Sequence, residues 1–212
     1  MPNWCDNHIS ITGPNSVMDK LEKVIQTEEG LLQFMLPMPK ELADTTSPFP
    51  KDATPEEKAQ RIKNLDKYGS DNWYDWRNEN WGTKWDVNEY YGFDRQYIND
   101  DESQISVGFS SAWGPPLQAF QEFIDKHPVI LEARYYEPGC DFMGIWDNGD
   151  DTCYECSKYG SDDDFWKSGD GAILDESFNI VENLIQWEEE QEPIEEVTEY
   201  VKGNPVNIGE DK

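Results

Sequence analysis

Asn7-His8-Ile9-Ser10-Ile11-Thr12-Gly13-Pro14 is the stretch whose pattern decides the fold class. Ile9 and Ile11 alternate with polar residues, the period of a half-buried strand, and Gly13-Pro14 ends it in a turn. A helix follows at once: Val17, Leu21, Val24 and Ile25 recur at near-helical spacing up to a break at Gly30, with Asn15 or Ser16 as the N-cap. A strand with one apolar face, turned tightly into an amphipathic helix, is one half of a layered α+β body.

The same succession returns further on. Gln104 to Ser110 alternates, with Ile105, Val107 and Phe109 on one face, and Pro115-Pro116 opens a helix whose stripe is Leu117, Phe120, Phe123 and Ile124. That helix ends at His127-Pro128, and Val129 to Tyr136 is the next strand. Phe142 to Trp146 and Thr152 to Cys156 form a hairpin across Asp147-Asn148-Gly149-Asp150, because Asn-Gly favours the primed turns that match strand twist. Between the two units, Pro37-Met38-Pro39 is a fixed apolar loop and residues 43–55 a proline-rich surface loop. Thr54-Pro55 starts a helix carrying Ile62 and Leu65, a short helix covers Asn72 to Asn80, and Thr83 to Val87 reads as a strand.

Without a helical insertion at about 43–80, the order is strand, helix, strand, strand, helix, strand, plus the hairpin. The expected fold is therefore α+β: a ferredoxin-like split βαβ antiparallel sheet with helices on one face, spanning 1–158. Residues 159–212 read as an acidic C-terminal extension, partly helical around Ile180, Leu184, Ile185 and Trp187, with a weakly structured tail after Pro193.

Charge limits the partners. The 212 residues hold 17 Lys+Arg against 45 Asp+Glu, a net of -28. Backbone-driven nucleic-acid binding draws on basic side chains that release counterions from phosphates, so direct nucleic-acid binding is excluded, as is attraction to an anionic membrane. No apolar run approaches the ~18 residues of a membrane span, and a cytoplasmic protein is expected. Only 36% of residues are hydrophobic, yet nine Trp, ten Tyr and nine Phe supply a compact aromatic core. From residue 101 onward there are 27 acidic and 6 basic residues, against 18 and 11 before it. The acidic positions Asp147, Asp150, Asp151, Asp162, Asp163, Asp164, Glu188, Glu189 and Glu190 are therefore candidates for a partner-binding face.

A second group combines rings and polar ends: Trp73, Arg77, Asn80, Trp81, Lys84, Trp85, Asp86, Trp113, Glu137 and Asp141. They describe either a pocket where aromatic faces stack on a ligand, or a packed sheet-helix interface in which Arg77 and Lys84 pair with Asp86 or Glu137. Cys153-x-x-Cys156 and Cys5-x-x-His8 have the spacing of two halves of a zinc site, but strand positions three apart point to opposite faces. No metal or cofactor is expected. There is no phosphate loop, no GxSxG, and no HExxH string, so no catalytic residue is assigned.

Met1-Pro2-Asn3-Trp4-Cys5-Asp6-Asn7, Leu36 to Leu42 (LPMPKEL), Trp73 to Arg77 (WYDWR) with Asn80 to Asp86 (NWGTKWD), Ser111 to Pro116 (SAWGPP) and Tyr136 to Phe142 (YEPGCDF) resemble the signature strings of the YubB-type ferredoxin-like proteins of phages and plasmids. The resemblance spans roughly residues 1–147. It implies the ferredoxin-like fold and a mobile-element origin, hence a bacterial host cytoplasm, and it implies no activity. An acidic protein of that origin is expected to bind and inhibit a host defence protein through its basic nucleic-acid-binding surface, by nucleic-acid mimicry. The alternative is a small-ligand or nucleotide binder, or a hydrolase, with a base stacked on Trp81 or Trp85 and phosphates held by Arg77 and Lys84.

Overall fold

β1 (Trp4–Pro14) runs through the middle of the computed structural model, which describes residues 2–27 and 29–191. Both faces of this strand are used. Its odd residues Cys5, Asn7, Ile9 and Ile11 are buried on one side, as the alternation predicts, while His8, Ser10 and Thr12 look to the other. The remaining strands are β2 (Tyr91–Tyr97), β3 (Glu102–Ala112), β4 (Ile130–Glu137), β5 (Phe142–Asp147) and β6 (Asp150–Tyr154). All pairings are antiparallel, in the order β2-β3-β1-β4-β5-β6. Ile9 lies opposite Val107 and Ala133, and Ile11 opposite Ile105 and Leu131, so the apolar rows of three strands fuse into one surface.

Helices cover that surface. α1 (Asn15–Gln26) lays down Met18, Leu21, Val24 and Ile25. Ahead of the insertion come α2 (Leu31–Met35) and α3 (Lys40–Ala43), and the insertion itself supplies α4 (Pro55–Tyr68) and α5 (Trp73–Asn80); Leu31, Leu32, Met35, Leu42 and Trp76 of these helices join the same core. α6 (Leu117–Lys126) adds Ala119, Phe120 and Phe123, with the Phe120 ring between Phe109 (6.5 Å) and Trp146 (5.9 Å). The fold is thus α+β, a six-strand antiparallel sheet with helices.

Side-chain caps mark the starts of α4 and α5. Thr54 closes a capping box on α4: its hydroxyl accepts from the Glu57 N–H (3.2 Å) while its own N–H donates to the Glu57 carboxylate (2.7 Å). Asn72 caps α5 by accepting from the N–H groups of Tyr74 and Asp75. α1 departs from the expected cap. Asn15 is its first helical residue, and the Asn15 side chain instead donates to the Asp100 carbonyl (2.9 Å). The apolar residues read into α4 also face outward: Ile62 is 70% and Leu65 55% exposed, whereas Asn64 is buried.

Thr83 to Val87 is not a strand. The Thr83 hydroxyl donates to the Ala112 carbonyl (2.9 Å) and accepts from the Ala112 N–H (3.1 Å), so a side chain takes the place of a ladder. The strand beside β3 is Tyr91–Tyr97, within what reads as an irregular Tyr/Asn-rich connection. As an outer strand it is exposed along most of its length and lacks a clean apolar face. Arg95 ties it down by reaching Glu22 and Asp19 of α1 (2.9 Å to Asp19).

The other sheet face carries a second core. Asp164–Lys167 makes a 3₁₀ turn, followed by α7 (Gly169–Phe178) and α8 (Ile180–Gln191). Met143, Trp166, Leu174 and Ile180 are buried there among Tyr136, Ile145, Tyr154, Phe165 and Phe178. Residues 159–191 therefore share a core with β4 to β6. Among the described residues of α8 only Ile180 is buried; Ile185 and Trp187, expected in the same stripe, are exposed. The tail after Pro193 lies outside the described residues. Among the described residues no helix is long and apolar enough to cross a membrane.

Next to α7 this face stays open as a groove of about 360 Å³ lined by His8, Tyr91, Gln104, Ser106, Glu132 and Arg134. The His8 ring lies 5.1 Å from Phe178 and 5.7 Å from Tyr91. Burial, helped by Arg134, holds its pKa below the ordinary 6.5, against a weaker pull from Asp6. The unfolded chain then binds the proton more readily, so the neutral ring stabilises the fold above pH 6.5 and that contribution is lost as pH falls below it. The Tm decrease between about pH 7.5 and pH 5.5 is expected to be smaller in His8→Gln than in the parent. Equal decreases in thermal melts would remove His8 as a source of acid sensitivity.

Candidate functional site

The aromatic and polar residues singled out by the sequence separate into three places. The first is internal. Trp81 is fully buried, its indole Nε1 donates to the Leu36 carbonyl (2.8 Å), and its ring meets Trp76 edge-on at 5.9 Å. Arg77 lies over the rings of Trp81 (4.7 Å) and Trp73 (5.2 Å), and burial lowers its pKa while nearby Asp86 opposes the shift. Asn80 donates back to the Trp76 carbonyl (2.9 Å) within α5. These residues pack the joint between insertion and sheet. Among the described residues neither Arg77 nor Lys84 forms an ion pair, so the expected pairing with Asp86 or Glu137 is not made. Each cation instead lies over rings.

The second place is a cleft of about 1060 Å³ between the 85–91 segment and the ends of β1 and β3. Trp85 and Asp86 line it, as the sequence suggested, together with Trp4, Tyr90 and Tyr91, which it did not. The Trp4 and Trp85 rings lie 5.9 Å apart at 33°, and Lys84 Nζ sits 4.6 Å from the Trp85 ring centre. Asp86 shapes the floor by accepting from the N–H groups of Leu32 (2.8 Å), Gln33 (3.2 Å) and Val87 (2.8 Å). Burial raises its pKa and those three donors oppose the shift. Gly30 permits this approach, since a Cβ there would collide with the Asp86 carboxylate. The missed residues carried no periodic signal: Trp4 precedes the alternation that begins at Asn7, and Tyr90 and Tyr91 lie in the Tyr/Asn-rich segment that reads as an irregular connection.

The third place is the turn after β4. Glu137 is buried, with Oε1 accepting from the Gly139 N–H (3.1 Å); among the described residues its Oε2, Asn7 Oδ1 and Arg77 Nε lack hydrogen-bond partners. Asp141 accepts from the N–H and hydroxyl of Ser157, both at 2.7 Å, which lowers its pKa. Trp113 holds a left-handed backbone (φ 72°) with its ring half exposed. Neither Trp113, Glu137 nor Asp141 lines the cleft. Cys5 and His8 point to opposite sheet faces, and among the described residues no group of three or more His, Cys, Asp or Glu is arranged to hold a metal. Burial raises the thiol pKa of Cys5, and that of Cys156 to about 12, so neither is a ready nucleophile.

The acidic candidates fall on the β5–β6 hairpin and around the second core. From Asp147 to Glu190 the chain has 14 acidic and 2 basic residues. Asp147, Asp150 and Asp151 are exposed on the β5–β6 hairpin, Asp162 precedes the 3₁₀ turn and Asp164 begins it, and Glu188, Glu189 and Glu190 are exposed at the end of α8. Several are pinned. Asp151 accepts from the Tyr135 hydroxyl (2.8 Å), Asp163 caps the turn through the Phe165 N–H (2.8 Å), and Glu188 accepts from the Ser161 hydroxyl (2.7 Å). The two lysines pair locally, Lys158 with Glu155 and Lys167 with Asp164, leaving most carboxylates uncompensated.

No family model matches the chain, and no curated protein does. Among solved structures it is similar to the protein api92 of Yersinia pseudotuberculosis, whose crystal structure is assigned to the family DUF1281. The identity is 12% and the TM-score 0.38, over 76% of this chain and 99% of that one.

Proposed function

We propose that this chain is an acidic interaction protein of a phage or plasmid, which binds and inhibits a host defence protein by presenting carboxylates to its basic nucleic-acid-binding surface. One observation carries the reading: the carboxylates from Asp162 to Glu190 stand on a folded platform anchored by Trp166, Leu174 and Ile180, and those of Asp147 and Asp150 on the neighbouring β5–β6 hairpin, rather than on a loose tail. Acceptors held in place by hydrogen bonds lose little freedom on binding, and a field of one sign steers a basic partner. The ferredoxin-like, YubB-type assignment belongs to the same proposal. The sub-order β2-β3-β1-β4, with α1 and α6 on one face, supports it.

The test is capture of a partner from host lysate along a salt series. The expected partner is basic, is retained at low salt and elutes as salt rises. Asp147→Asn, Asp150→Asn and Asp162→Asn together are expected to weaken capture about tenfold, or about 1.4 kcal/mol, while leaving the melting curve in place. Capture that ignores salt and these substitutions counts against mimicry.

A further inference from the structure

We propose that the aromatic cleft takes the guanidinium or ammonium group of a basic side chain. In the setting of the proposed function, on which this inference rests for the source of the cation, that group belongs to the basic partner. Trp4 is 51%, Tyr91 43% and Trp85 37% exposed, although the same fold hides Trp81 completely. Large rings left wet around one cavity mark a surface kept for a ligand. The cavity, about 1060 Å³, is large enough to admit a long side chain with room for its neighbours.

Charge selects the ligand. The ionisable acids on the lining are Asp86 and Glu89, and Asp6 stands beside them with its carboxylate accepting from the Ser110 hydroxyl (2.8 Å). Among the described residues no Lys or Arg lines the cavity. Arg77 and Lys84, the groups that a nucleotide would need for its phosphates, sit over Trp73 and Trp81 and over Tyr74 and Trp85. A phosphate entering the cleft therefore meets Asp86 and Glu89 and finds Lys84 already seated on the Trp85 ring, whereas a cation meets ring faces and acids together. The chain already shows the contact in its own Lys84, whose Nζ lies 4.6 Å from the Trp85 ring centre. Glu89 is exposed and, among the described residues, makes no ion pair, so it is free to receive a donor. Asp86 is occupied by three backbone N–H groups and contributes as a fixed negative end.

The experiment titrates the full chain with a blocked Gly-Arg-Gly peptide, with the same peptide carrying citrulline for arginine, and with adenosine monophosphate, following the indole N–H signals of the nine tryptophans by NMR. The arginine peptide is expected to shift Trp4 and Trp85 saturably, while the citrulline peptide and the nucleotide leave them unmoved. Trp85→Ala and Glu89→Gln, both at exposed positions, are each expected to weaken the arginine peptide about fivefold while the indole signals outside the cleft keep their positions. Equal binding of the citrulline peptide, binding of the nucleotide, or unchanged affinity in both variants overturns the inference. No host protein enters this titration. A failed lysate capture with intact peptide shifts removes the proposed function alone, and intact capture with no peptide shift removes the cleft ligand alone.

Discussion

Trp81→Ala will cost about 3–5 kcal/mol, a large part of the 5–15 kcal/mol by which ordinary domains are stable. The ring is fully buried in the joint where the insertion meets the sheet. Three contacts go together: the edge-on packing on Trp76, the Arg77 guanidinium above the ring, and the indole donor to the Leu36 carbonyl. Losing the last leaves a carbonyl without its partner beside Pro37, in a loop that has few other donors to offer. Urea denaturation measures the effect. Trp81→Phe, which keeps a ring but not the N–H, should lose only part of it, about 1–3 kcal/mol. If the alanine variant unfolds within about 1 kcal/mol of the parent, the insertion is not held by this residue and the internal role given to Trp81 is wrong.

The contrast between Trp81 and Trp85 shows where sequence reading stops. Both sit in one run, Asn80 to Asp86, and both are candidates for stacking on a ligand. One is buried to the last atom and the other borders the cleft. Composition gives both rings the same payload; only the path of the loop, set by the Thr83 side chain on Ala112 and the Asp86 carboxylate on α2, separates them. Those are long-range hydrogen bonds, and a period of two or 3.6 residues carries no trace of them.

Elements with a strong local period were legible. β1, β3, α1 and α6 lie where alternation and helical spacing put them, because one face of each is wholly committed to a single core. β2 was not, because an outer strand exposed along most of its length has no apolar face to alternate. α7 escaped for another reason. Its start is Gly169-Asp170-Gly171, poor in helix propensity, and Gly171 is there because the helix presses against the backbone of Phe165. The charge split at residue 101 pointed to the acidic face, but not to the platform beneath it, since Trp166, Leu174 and Ile180 meet Met143 only after the chain has folded back over β4 to β6.

That platform makes the second large effect. Trp166→Ala removes a ring that packs on Phe165 (5.0 Å) and Tyr159 (5.9 Å) and whose Nε1 donates to the Gly160 carbonyl (2.8 Å), at a cost of about 3–5 kcal/mol. The second core is much smaller than the first, so a loss of that size exceeds what its local packing can absorb, and the segment from Tyr159 to Gln191 is expected to release while β1 and β3 stay paired. Hydrogen exchange should then show protection lost across α7 and α8 but kept in β1 and β3. Gly171→Ala reaches the same state by a different route, since the added methyl meets the Phe165 carbonyl, and agreement between the two variants separates platform loss from any effect of the indole itself. Release carries the carboxylates of 162–190 off their fixed positions while leaving their charge unchanged. Salt-sensitive capture of a partner should therefore fall in both variants, although net charge stays at -28, and the indole response of the cleft to the arginine peptide should persist. Capture that survives release of the platform would mean that charge alone, without a surface to hold it, is what the partner recognises.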